Sequence, residues 1–220
     1  MCFSAGVNFV GSAVLAGIGI VTLTKVKHRR ELLFAGLPTL FAVHQFIEGF
    51  VWLGLDGTLS PAVAHDMGAA FMLYAQGLLP FLLPLSVLLF EPTLKRRRRM
   101  LPFLIIGGLT TLYILWALTA FPLQVFVKGH SIVYINQATN NTAVAVVYVI
   151  ATCGSLFFSR VTDMVIFGAA NLVILLTVMV VKRYAFTSLW CAYAAVASVI
   201  ILAYFWRSEV HRPHKYEHAI

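Results

Sequence analysis

Seven apolar stretches, each close to the length of a membrane span, fill most of this chain, and the short segments between them hold nearly all of its charge. That pattern constrains the fold more than any motif. A helix needs about 20 mainly apolar residues to cross the hydrocarbon of a bilayer. The stretches fall at 4–23, 32–54, 67–90, 101–121, 143–159, 164–181 and 185–206. The expectation is an all-α integral membrane bundle of seven transmembrane helices. Residues 1–206 are expected to form that domain, and 207–220 a basic, His-containing cytoplasmic tail.

Composition removes the alternatives. Only 11% of the 220 residues are charged and 60% are hydrophobic, with a mean hydropathy of +0.89. A soluble domain carries about 25% charged residues and could not cover its surface with fewer than half of them. The same numbers exclude disorder, a coiled coil, a collagen-like repeat and a small disulfide scaffold. The net charge of +8 does not imply nucleic acid, because the basic residues lie in short runs between spans. The expected partner is the lipid bilayer itself. Cys2, Cys153 and Cys191 have no metal-type spacing and no disulfide framework.

Basic residues also set the orientation. With the N-terminus outside, thirteen Lys and Arg fall in inner segments and three (Lys128, Lys182, Arg183) in outer ones. An excess on one side marks the cytoplasm, so the expectation is N-out and C-in. The first charge, Lys25, follows the first apolar run, which therefore reads as a retained helix rather than a secretory signal. The run Lys95-Arg96-Arg97-Arg98-Arg99 is a topology signal and could also hold anionic lipid headgroups. One sizeable outer loop, 122–142, has two β-prone runs around Lys128-Gly129. A short hairpin over the outer mouth, 125–134, is expected, with His130 or Tyr134 pointing at the bundle.

One acidic residue lies deep in a span. Glu48 follows Glu31 by about 25 Å of helical rise, in the outer third of a bilayer about 30 Å thick. A carboxyl there needs a counter-charge, a proton or a wet cavity, and such residues are functional candidates. His44, Gln45 and Trp52 share its helical face, and Gly49 beside it would admit a neighbouring helix. Glu48 is expected to be neutral and donating a hydrogen bond, or ionised against a bound cation. Candidate ligand-binding residues are Glu48, Gln45, Trp52, His130 and Tyr134. Candidate ligands for one transition-metal ion are Cys2, His44, Glu48 and His130, a soft and borderline donor set. The bland reading is a hydrogen-bond cluster that only locks the bundle. In the third span, Pro80 and Pro84 imply a kink with freed carbonyls near Tyr74 and Gln76. Tyr148 and Asn171 add further intramembrane polar groups. The tail pattern His211-x-x-His214-x-x-x-His218 is interrupted by Pro213 and reads as a polar tail.

The opening Met1-Cys2-Phe3-Ser4-Ala5 and the run Gln45-x-x-Glu48-Gly49-x-x-Trp52 resemble a family of bacterial multi-pass membrane proteins catalogued only as a domain of unknown function. Gly129-His130-Ser131-Ile132-Val133-Tyr134 and Trp190-Cys191 extend the resemblance along the chain. It implies a shared architecture, a shared site and the bacterial inner (plasma) membrane, and it brings no activity. The function expected from the residues is binding or transport of a small solute, proton or metal ion around Glu48. The alternatives are a metal-assisted membrane-embedded hydrolase and an accessory subunit with no site of its own.

Overall fold

The computed structural model describes residues 4–181 and 186–210, with side chains at 4–173 and 194–208. Helix α1 (Ala5–Thr24) is capped by Ser4, whose hydroxyl accepts the Val7 N–H at 3.3 Å. The short α2 (Leu32–Ala35) runs into α3 (Leu37–Leu55) through Gly36. Helix α4 (Pro61–Met72), a π-helical turn (Leu73–Leu78) and α5 (Leu79–Phe90) form one rod, and α6 (Leu94–Ala120) the next. After a hairpin, α7 (Thr142–Gly154) tightens into a 3-10 turn (Ser155–Phe158). Helices α8 (Thr162–Val181) and α9 (Phe186–Val210) are the last of the described elements.

Among the described residues these elements make seven helical rods, one for each apolar stretch of the sequence. Four of them, Ala5–Thr24, Arg29–Leu55, Pro61–Phe90 and Leu94–Ala120, are long and apolar enough to cross a membrane. Two rods begin earlier than hydropathy suggests. The third starts at Pro61, where proline is pre-organised for a first helical turn and its missing N–H costs nothing. The fourth starts at Leu94 because Lys and Arg are good helix formers, so the basic run continues the helix beyond its apolar part.

Small residues set the helix spacing. A Cβ added at Gly19 would lie 2.2 Å from the Thr39 hydroxyl oxygen, and one at Gly49 would lie 2.6 Å from the Phe9 ring. These two glycines let α1 lie close along α3. A Cβ at Gly107 would lie 1.9 Å from the Pro80 carbonyl oxygen, so α5 and α6 touch backbone to backbone. Ser12 ties α1 to α3 by donating to the Ala42 carbonyl at 2.8 Å.

The third rod departs from regular α-helix where its prolines begin. Pro80 and Pro84 cannot donate to the carbonyls a turn earlier, and the segment just before them is π-helical. The loosened carbonyls find other donors. Tyr148 donates to Ala75 O at 2.9 Å and Thr111 to Gly77 O at 2.6 Å.

At the basic end, Glu91 is fully buried. Its carboxylate accepts the Arg160 N–H at 2.9 Å and the Thr93 N–H at 3.3 Å, tying the α7–α8 connection to the α5–α6 connection. Arg97 donates to the Glu91 and Leu89 carbonyls and Arg96 to that of Phe158. Arg207 meets Asp163 at 3.2 Å, and Lys25 lies over the Trp206 ring at 4.9 Å. At the opposite end the α3–α4 turn closes on Gly57, with φ at +84°. There two hydrogen bonds from Thr58, through its side chain and its N–H, hold the exposed Asp56 carboxyl below the usual carboxylate range.

The hairpin is longer than the sequence suggests. Strand β1 (Leu123–Lys128) pairs antiparallel with β2 (Ser131–Asn136), from Leu123↔Asn136 to Lys128↔Ser131. Gly129 takes φ +65° while His130 beside it keeps a negative φ, the pattern of a two-residue II′ turn. Asn136 anchors the far end by donating to Ala117 O at 3.0 Å and Phe121 O at 3.1 Å. The hairpin lies over α4, where Gly68 leaves room for Val125.

Candidate functional site

Helix α3 buries one face and exposes the other. His44 and Glu48 are completely buried, Gln45 is 3% exposed and Trp52 9%, whereas Val43 and Phe46 on the far side are about half exposed. Burial at 41, 42, 44, 45, 48, 49, 51 and 52 follows the 3.6-residue period. The four polar residues singled out in this segment therefore all turn inward.

Their surroundings are aromatic. The His44 ring stacks on Phe71 with centroids 4.0 Å apart and planes at 17°, and on Tyr74 at 5.5 Å and 21°. Phe71 stacks in turn on Tyr134 of β2 at 4.7 Å and 16°. Four near-parallel rings from α3, α4, the π-helical turn and the hairpin thus run beside the Glu48 face. Val51, Trp52, Met72, Leu123, Ile132 and Tyr134 pack into the same cluster. The hairpin is part of the wall of this site.

Several polar tips in this wall have no hydrogen-bond partner among the described residues. They are both ring nitrogens of His44, Gln45 Oε1, Trp52 Nε1 and the Tyr74 hydroxyl. Buried polar groups are nearly always satisfied, so these exceptions on one helix and its neighbours set the segment apart from ordinary packing. One member is well held. Gln45 Nε2 donates to Asn8 Oδ1 at 2.7 Å, and Asn8 Nδ2 donates to Ser4 O at 3.1 Å. Asn8 is completely buried and was not among the residues that sequence reasoning selected; an Asn inside the first apolar stretch is the signal that could have found it. Tyr74 was noted only as part of a kinked span. The π-helical turn is what aims it at His44.

The structure separates the other candidates. His130 or Tyr134 was expected to face the bundle, and it is Tyr134 that is buried there. His130 is exposed at the turn because the two-residue loop projects away from β2, whose buried positions carry Ile132 and Tyr134. Among the described residues no three His, Cys, Asp or Glu side chains gather where they could hold a metal ion. His44, Glu48 and His130 therefore do not assemble the expected metal set. Its fourth member, Cys2, lies outside the described residues, as do His211, His214 and His218 of the tail, and Lys182 and Arg183. Lys95, Arg98 and Arg99 are exposed, while Arg96 and Arg97 are half-buried against helix-end carbonyls.

Comparison with curated proteins and with solved structures yields no match. The model of a family of unknown function (DUF6629) matches residues 1–217, and the chain belongs to that family.

Proposed function

We propose that the chain is a seven-span membrane protein, N-out and C-in, of a bacterial inner membrane, with a site in the outer half of the bundle that binds or carries a small solute or proton. Glu48 is its working group. The observation that carries this reading is the complete burial of Glu48 and His44 one helical turn apart, inside a ring-lined wall with several unsatisfied polar tips. Long rods with half-exposed apolar outer faces, such as Val10, Ile105 and Leu109 at 61–67% exposure, suit a lipid surround. In that setting a buried carboxyl exchanges a proton or accepts a cation, and neither event is cheap to retain for packing alone. A proton or a compact polar solute fits better than a metal ion, because the described donors do not converge in a set of three.

The test is ion flux in reconstituted vesicles. With a pH-sensitive dye inside and a potassium-diffusion potential imposed, the parent protein is expected to admit protons and Glu48→Gln to admit none above empty vesicles. Equal flux in the two proteins, or none in the parent, would overturn the transport reading. A stoichiometric metal ion in the purified parent, lost from Glu48→Gln, would replace the proton by a metal.

A further inference from the structure

We infer that the outward face of α6 holds one anionic phospholipid, with its phosphate on Lys95 and Arg98 and an acyl chain in the groove between α5 and α6. The basic run divides into two parts. Arg97 donates to the Glu91 and Leu89 carbonyls and Arg96 to that of Phe158, so both are engaged in closing helix ends. Lys95, Arg98 and Arg99 are exposed and have no hydrogen-bond or ion-pair partner among the described residues. Glu91 and Asp163 are already committed, the first to the Thr93 and Arg160 N–H groups and the second to Arg207. Three cations are thus left without a counter-charge at one end of a helix whose apolar part suits a bilayer.

The same face of α6 continues as a groove. Phe81 of α5 and Ile105, Gly108, Leu109 and Leu112 of α6 line a volume of about 370 Å³. Thr111 also lines it, but its hydroxyl is already bonded to the Gly77 and Gly107 carbonyls, so the groove is apolar. It is open because Gly108 has no side chain: a Cβ there would meet only the Phe81 ring, at 3.7 Å. At 3.6 residues per turn, Arg98, Leu101, Ile105, Leu109 and Leu112 fall within roughly 80° of one another around the helix. All five are exposed. Lys95 is Arg98's neighbour one turn earlier. From Leu101 to Leu112 the helix rises about 16 Å, close to the depth of one leaflet of hydrocarbon. Long side chains on a helix lean toward its N-terminal end, which carries the two cationic heads away from the groove and toward headgroup level. An occupant with an anionic head and one such chain matches both halves. A bare anion would leave the groove empty, and a second ammonium in the head, as in choline lipids, would be repelled by Lys95 and Arg98. The inference rests on the helices lying in a bilayer and does not depend on Glu48.

The test offers the full chain, purified in detergent, equal amounts of phosphatidylglycerol and phosphatidylcholine with the same acyl chains, and counts retained lipid by native mass spectrometry. The parent is expected to keep one phosphatidylglycerol about tenfold more often than phosphatidylcholine, the order of effect of two basic groups at a membrane surface. The double variant Lys95→Gln/Arg98→Gln should bring the two lipids to parity. Lys27→Gln/Arg30→Gln removes two exposed charges from the α1–α2 connection and should leave the preference unchanged. Gly108→Val, which fills the groove and keeps every charge, should lower retention of both lipids. Equal retention of the two lipids by the parent, or an equal loss of preference in the two double variants, would overturn the site. A Gly108→Val protein that behaves as the parent, with the preference abolished by millimolar inorganic phosphate, would assign the cations to a free anion and overturn it too. Release of the parent from membranes by alkaline carbonate would overturn the bilayer premise on its own.

Discussion

The imidazole of His44 lies face to face with the ring of Phe71, centroids 4.0 Å apart, although neither of its nitrogens has a hydrogen-bond partner among the described residues. A histidine used in this way contributes mainly a flat ring to the stack, at the cost of two stranded polar atoms. His44→Phe keeps the ring and removes that cost. It is expected to raise stability by about 1 kcal/mol, the lower range for an unsatisfied buried group. Thermal unfolding in detergent measures this. A lower stability for His44→Phe would mean that the ring nitrogens are satisfied by a group that the substitution removes.

The contact of Gly107 with the Pro80 carbonyl makes a sharper demand on stability. A Cβ would sit 1.9 Å from that oxygen, whereas at the adjacent Gly108 the nearest atom is a Phe81 ring carbon at 3.7 Å. Gly107→Val must therefore push α5 from α6 and is expected to cost about 3 kcal/mol or more, in the range of severe overpacking. Gly108→Val should be nearly neutral. Similar unfolding temperatures for the two variants would contradict the close packing.

Glu91 is expected to be a structural acid. Its buried carboxylate satisfies backbone N–H groups of Thr93 and Arg160. Glu91→Leu strands both and should cost about 2–3 kcal/mol, while Glu91→Gln, which keeps one acceptor oxygen, should cost less. Amide hydrogen exchange resolves the effect locally. The expected signature is faster exchange around Arg160, with the Glu48 region unchanged. Unaltered exchange at Arg160 in Glu91→Leu would refute the role.

Orientation has its own test. A reporter that is active only in the cytoplasm, fused after Ile220, should be active, and one inserted at the Gly129 turn should be silent. The reverse pattern would invert the proposed topology and move Glu48 to the inner half of the bilayer.

The architecture was legible in the sequence because its signals are local. Hydropathy located each rod, and the prolines at 80 and 84 flagged the irregular backbone, which takes the form of a π-helical turn just before them. The inward face of α3 followed from helical spacing alone, which placed Gln45, Glu48 and Trp52 together with His44. What the sequence could not supply was pairing across elements. Asn8 lies 37 residues from Gln45, and no local pattern connects them. The His44–Phe71–Tyr134 stack depends on how the hairpin docks over Gly68, which only packing decides. His130 or Tyr134 was expected to face the bundle, and only the docked hairpin decides between them: Tyr134 is buried, and the two-residue turn leaves His130 exposed. The burial of Glu91, one residue beyond the third apolar stretch, has no sequence signal, because sequence gives no measure of how deeply a connection is covered.

The central claim is that Glu48 holds an exchangeable proton in the bundle, and infrared difference spectroscopy of the membrane-reconstituted protein addresses it most directly. On a pH jump the parent is expected to show a reversible carboxylic-acid carbonyl band that Glu48→Gln lacks, with the backbone amide bands of the two proteins alike. Identical difference spectra for parent and variant, with no band assignable to Glu48, would contradict the claim and leave the residue as a packing element of α3.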